Sequence, residues 1–99
     1  MVILIASGRL KTERRAEALE VCQGMLEPSR AEEGCISYSF FTDPHDPDSL
    51  IFVEEWKSRE AIDLHFSLPH FIDFSGRMAD LVQAPFEIHL HSVSDSVKL

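Results

Sequence analysis

Ninety-nine residues, 44% hydrophobic and 26% charged, make room for one core and leave nothing for a linker or a second domain. A formal charge of −8 repels phosphate backbones and anionic lipid, and the basic pair Arg14-Arg15 is flanked by Glu13 and Glu17, so neither nucleic acid nor a membrane surface is expected as a partner. No apolar run approaches the roughly 20 residues of a membrane span, and Met1 is followed at once by Val-Ile-Leu-Ile-Ala with no basic leader, so a cytoplasmic location is expected.

Residues 2–10 predict a strand whose opening positions are apolar on both faces, the pattern of a strand covered on both sides. Residues 12–33 predict a helix with Ala18, Leu19, Cys22, Met25 and Leu26 on one stripe and Glu13, Glu17, Glu20 and Glu27 mostly away from it. Pro28 should bend or split that helix near Gly24, and Gly34 is expected to end it as a left-handed cap. Cys22 and Cys35 lack a C-x-x-C spacing and are expected to be free thiols in or near the core. Residues 35–42 and 50–57 predict an antiparallel hairpin across a loop at 43–49, which Pro44 and Pro47 should keep out of either ladder. Alternation groups Ile36, Tyr38 and Phe40 on one strand face, and Phe52, Glu54 and Trp56 on the next.

A short helix over 58–66, capped by Ser58, is followed by a second that starts at Ser67 and Pro69 and runs to about residue 82. Pro85 breaks it. A last strand over 86–93 completes a single domain of residues 1–93, with 94–99 as a polar tail. Strand, helix, strand, strand, helix, strand is the α+β order of the ferredoxin-like split βαβ, with a four-stranded antiparallel sheet. Helices cover one sheet face. The other also carries apolar residues, and so short a chain has nothing left to cover it, which makes a homodimer the physical expectation.

The densest chemistry lies in Glu54-Glu55-Trp56-Lys57-Ser58, His65 and Pro69-His70-Phe71. On a helix beginning after Ser58, His65 shares the stripe of Ile62 and should face the sheet, where an imidazole suits proton abstraction near neutral pH. The plain alternative is a buried neutral histidine. Glu54 shares a strand face with Trp56, and an inward carboxylate needs a partner, for which His65 or Arg9 is the expected one. Tyr38, Phe40, Phe52, Phe66 and Phe71 could wall a pocket for an aromatic molecule, with His70 at its mouth. His89 and His91 alternate on the last strand, but two ligands do not make a metal site. No glycine-rich phosphate loop is present, which argues against dinucleotide and flavin cofactors.

Those residues, with Glu32-Glu33-Gly34-Cys35 opening a strand that holds Tyr38 and Phe40, resemble the antibiotic biosynthesis monooxygenase family over residues 2–93. The resemblance implies a dimeric α+β barrel and a reaction of a small aromatic or quinol-like substrate with dioxygen. Its heme-degrading branch uses an Asn, a Trp and a His that fall here at Ser7, His65 and about Ser75, so heme is not expected. Its polyketide-oxidising branch shares Trp56, but its Asn and Tyr fall at Phe52 and Ile62, with Arg77 a loose match for its Arg. What remains is similar to quinol-oxidising and uncharacterised bacterial members that keep the His65 and Pro69-His70 pattern. The resemblance implies a cofactor-independent, metal-free monooxygenase with catalytic His65, Trp56 and Glu54. A sugar-phosphate isomerase and a non-catalytic ligand-binding dimer are the alternatives.

Overall fold

β3 (Asp46–Trp56) is the strand on which the other elements assemble. Asp48, Leu50, Phe52, Glu54 and Trp56 are buried and the residues between them are partly exposed, the period of a strand with one face on a core. β1 (Val2–Arg9) lies antiparallel along one side, with Val2 opposite Trp56 and Ala6 opposite Phe52. β2 (Cys35–Asp43) lies along the other, with Tyr38 opposite Glu54. β4 (Glu87–Ser92) joins the free side of β1, giving the order β2-β3-β1-β4 in the computed structural model, which describes residues 1–99. The architecture is the α+β, ferredoxin-like one expected.

Four short helices cover one face: α1 (Arg15–Gln23), α2 (Leu26–Arg30), α3 (Arg59–Ser67) and α4 (Pro69–Met78). Leu4, Leu50 and Phe52 of the sheet meet Ala18, Cys22, Ile62 and Met78 of the helices in the core. Ser58 caps α3 by accepting a hydrogen bond from the Ala61 amide at 3.2 Å, and Pro69 opens α4 where its missing N–H costs nothing. The opposite sheet face is only partly covered: Ile3, Ile5, Ile51 and Val53 are half-buried and Phe41 is 56% exposed. No helix is long and apolar enough to cross a membrane.

Several elements differ from the sequence expectation. The hairpin has no long loop; β2 and β3 continue to a turn at Pro44 and His45. Pro47 is tolerated because it falls between the last pairs that β3 makes with β2 and with β1, where no ladder N–H is required. Ile36 does not share a face with Tyr38 and Phe40, because a register shift between Cys35 and Ser37 leaves it unpaired and 50% exposed. The helix expected over 12–33 is a 3-10 turn (Thr12–Arg14) followed by two short helices, α1 and α2, and the split falls at Gly24 and Met25, near the expected Gly24. Pro28 sits in the first turn of α2, among amides that have no helical partner anyway. α4 ends at Met78 instead of running to 82, since the Lys11 amide takes the Leu81 carbonyl and Val82 bridges Leu10.

Gly34 is not a left-handed cap, for no glycine has positive φ. Its requirement is space: a Cβ built there would overlap the Ala61 methyl of α3, and its carbonyl accepts from the Lys57 amide at 2.9 Å. Gly34→Ala should therefore cost about 1–3 kcal/mol, the range for forcing a methyl into a packed contact. Urea unfolding checks this, and Ala61→Gly should restore part of the loss; an undiminished midpoint would show that the contact yields freely. Near the same place Arg30 donates from Nε to the Tyr38 carbonyl of β2 at 2.9 Å, tying α2 to the outer strand.

Candidate functional site

Between the sheet and α4 lies a cavity of about 510 Å³, lined by 17 residues of which 13 are hydrophobic. Its floor is the inward face of the strands: Leu4, Ala6, Phe52, Glu54 and Ile88. Phe71, Phe74, Ser75 and Met78 of α4 form one wall, and the segment from Ala79 to Phe86 closes the end. That segment is held in place by Gln83, whose amide donates to the Arg9 carbonyl and whose side chain donates to the Leu10 carbonyl. The phenyl of Phe52 packs edge-on to Tyr38 and Phe74 at 5.7 Å each, so the walls are flat and aromatic.

Glu54 is the one ionisable carboxyl in this lining. It is 4% exposed, and burial pushes its carboxyl up to about 7, while the hydrogen bond it accepts from Trp56 Nε1 at 2.9 Å works the other way. Near neutrality its protonated and ionised forms are therefore both populated. The Tyr38 phenol is shifted upward by burial, so it stays protonated. The lining contains neither Lys nor Arg.

His65 lies behind the aromatic wall. It is 1% exposed and is not a lining residue; its ring is 5.7 Å from that of Tyr38, 5.9 Å from Phe66 and 5.1 Å from Phe71. Burial lowers its pKa, partly opposed by its hydrogen bond to Glu32. The partner expected for Glu54 is corrected here: neither His65 nor Arg9 takes it. His65 Nδ1 meets Glu32 Oε2 at 2.6 Å, and Arg9 pairs with Asp46. His70 Nε2 meets the same Glu32 oxygen at 2.8 Å.

Of the residues singled out from sequence, the structure brings Glu54, Tyr38, Phe52, Phe66 and Phe71 to the cavity. Trp56 is fully buried beneath it, 4.7 Å from the His65 ring, and acts on the cavity through its bond to Glu54. Phe40 packs on Phe52 at 5.4 Å without lining the space, and His70 opens instead onto a separate polar groove between α1 and α4. Cys22 is buried and Cys35 half-buried, both free, with thiols pushed up by burial to about 12 and about 11. His89 and His91 stack at 6.3 Å on the helix-free face, with His89 also 2.9 Å from Glu87.

Sequence reasoning missed Phe74, Phe86 and Glu32. Phe74 follows Phe71 at helical spacing on α4, a signal that was available. Glu32 had no local signal, since both its partners are more than 30 positions away.

A family model described as antibiotic biosynthesis monooxygenase matches residues 1–77, ending inside α4. The uncharacterized protein sll1783 of Synechocystis is 35% identical over 98 residues, which is 99% of this chain and 67% of that one. YcnE of Bacillus subtilis, provisionally named a monooxygenase, is 32% identical over 88 residues, 89% of this chain and 93% of its own. The structure of Rv0793 from Mycobacterium tuberculosis superposes with a TM-score of 0.91 at 26% identity, covering 98% of each chain. These likenesses support a monooxygenase-like role in general, and the chain belongs to the antibiotic biosynthesis monooxygenase family.

Proposed function

We propose that the protein is a cofactor-independent monooxygenase that oxidises a small aromatic or quinol-type substrate with dioxygen in the cavity above Glu54. The observation that carries this reading is a buried carboxyl poised near 7 at the floor of an aromatic-walled space. Ionised Glu54 takes the proton of a substrate hydroxyl, and the resulting anion passes one electron to dioxygen. Superoxide and the substrate radical combine at ring carbon, and loss of water leaves a hydroxylated quinone; one quinol and one dioxygen thus give one hydroxyquinone and one water. The protein supplies the base, a space that excludes water, and orientation. Sequence reasoning nominated His65 as base. From behind Tyr38 and Phe71 it serves better as a positioning group for that wall.

The absence of Lys and Arg from the lining disfavours a phosphorylated sugar. Aerobic incubation with menadiol tests the oxidation directly: oxygen uptake above autoxidation and a hydroxylated quinone are expected, and both should survive dialysis against a chelator. Uptake at the protein-free rate, yielding only menadione, would overturn it and favour a ligand-binding role.

We further infer a homodimer joined through the helix-free sheet face, supported by the uncovered Ile3, Ile5, Phe41, Ile51 and Val53. Sedimentation at micromolar concentration should give about twice the chain mass of 11.2 kDa. A folded monomer under those conditions would refute this.

A further inference from the structure

The structure assigns a second site, apart from the cavity: Glu32, His65 and His70 form a binding site for a first-row divalent transition-metal ion. Their ligand atoms all lie within 4.8 Å of one another, and they arrive from three different elements, the turn after α2, α3 and α4. Two imidazoles and a carboxylate are the ligand set that suits zinc or iron and leaves a coordination position open.

An orphaned atom points to a cation. The Glu32 side chain is 9% exposed, and its Oε2 meets both imidazole nitrogens, at 2.6 and 2.8 Å. Its Oε1 is buried with no hydrogen-bond partner. A buried carboxylate oxygen left bare is costly, and two histidines crowded on the other oxygen do nothing for it. An ion held by both carboxylate oxygens and both rings would satisfy it. Ligand atoms around a tetrahedral ion with bonds of about 2.05 Å sit about 3.3 Å apart, so the two imidazole nitrogens, at 2.6 and 2.8 Å from Oε2, would each withdraw from it by less than about 1 Å.

The ion also has a way in. His70 is 26% exposed and lines the polar groove between α1 and α4, where Glu17, Glu20, Asp73 and Asp80 outnumber Arg14 and Arg77. Both of those arginines are already paired, with Glu17 and Asp73, so the groove attracts cations. Because His65 is not among the cavity-lining residues, the ion would cross-link three segments of a small fold rather than touch substrate. This inference is independent of the oxidation proposed above.

Calorimetric titration of chelator-stripped, untagged protein with zinc(II) tests it. About one zinc per chain is expected, together with a rise in melting temperature that grows with zinc concentration. His70→Ala, at a partly exposed position that should not compromise folding, is expected to weaken binding by at least tenfold and to abolish the thermal shift. Glu32→Gln should do the same, whereas the double variant His89→Ala/His91→Ala should bind as the parent does. No saturable zinc binding would overturn the proposal. So would binding that survives His70→Ala, or that disappears with His89 and His91 and therefore belongs to the outer face.

Discussion

Glu54→Gln is expected to lower turnover of a quinol substrate by about 10²-fold or more, the usual cost of losing a general base. It should also make the protein more stable above neutrality. The carboxyl has a pKa of about 7 when folded against an ordinary 4.5, so between those values the native state holds a proton that the unfolded chain has released. Stability conferred by the protonated group is therefore complete below about 4.5 and declines as pH rises to about 7. Above that the ionised, buried group costs on the order of 3 kcal/mol. Glutamine carries no such charge. Urea midpoints measured from pH 5 to 8 should favour the variant increasingly, while wild-type turnover should rise with pH through about 7 as the carboxylate forms. A variant with undiminished turnover would remove Glu54 from the mechanism. A stability difference independent of pH would show that its carboxyl is not raised.

Trp56 should give the largest loss of stability. Its indole is fully buried, packs 4.7 Å from the His65 ring, and donates the hydrogen bond that holds Glu54. Trp56→Ala is expected to cost about 3–5 kcal/mol through the cavity it leaves, measured by denaturant unfolding. Trp56→Phe separates the roles, since it keeps most of the ring and loses the N–H. Without that donor the carboxylate loses stabilisation and the Glu54 pKa should climb further. The pH–rate curve should then move to higher pH and regain most of its height at alkaline pH. An unmoved curve would mean that Trp56 contributes packing alone.

The fold was legible where the signal is local and periodic. Phe52, Glu54 and Trp56 alternate, Ser58 and Pro69 mark helix starts, and the spacing of Ile62 and His65 fixes the buried face of α3. Sequence could not give the depth of each side chain behind that face. His65 and Glu54 are both buried, yet only Glu54 lines the cavity, while the imidazole packs against Tyr38, Phe66 and Phe71, which line it. The partner exchange has the same origin. Glu32 reaches His65 and His70 only once a turn after α2 is folded against α3 and α4, a coincidence of positions far apart in the chain. The unpaired Ile36 and the gap between ladders that admits Pro47 depend on how neighbouring strands are aligned, which neither strand's sequence alone declares.

The Arg30 guanidinium, which holds the Tyr38 carbonyl and reaches Ser39 Oγ at 3.4 Å, has a bearing on how copies of this chain can meet. An outermost strand invites another chain to continue its ladder, the first step toward fibrous aggregation. Here that strand is irregular at both ends, with register shifts beside Ile36 and Asp43, and a cation from α2 is laid along its middle. Lateral growth of the sheet is obstructed on that margin. The homodimer proposed above, joined through the sheet face, would leave this margin untouched and would close after two copies instead of propagating.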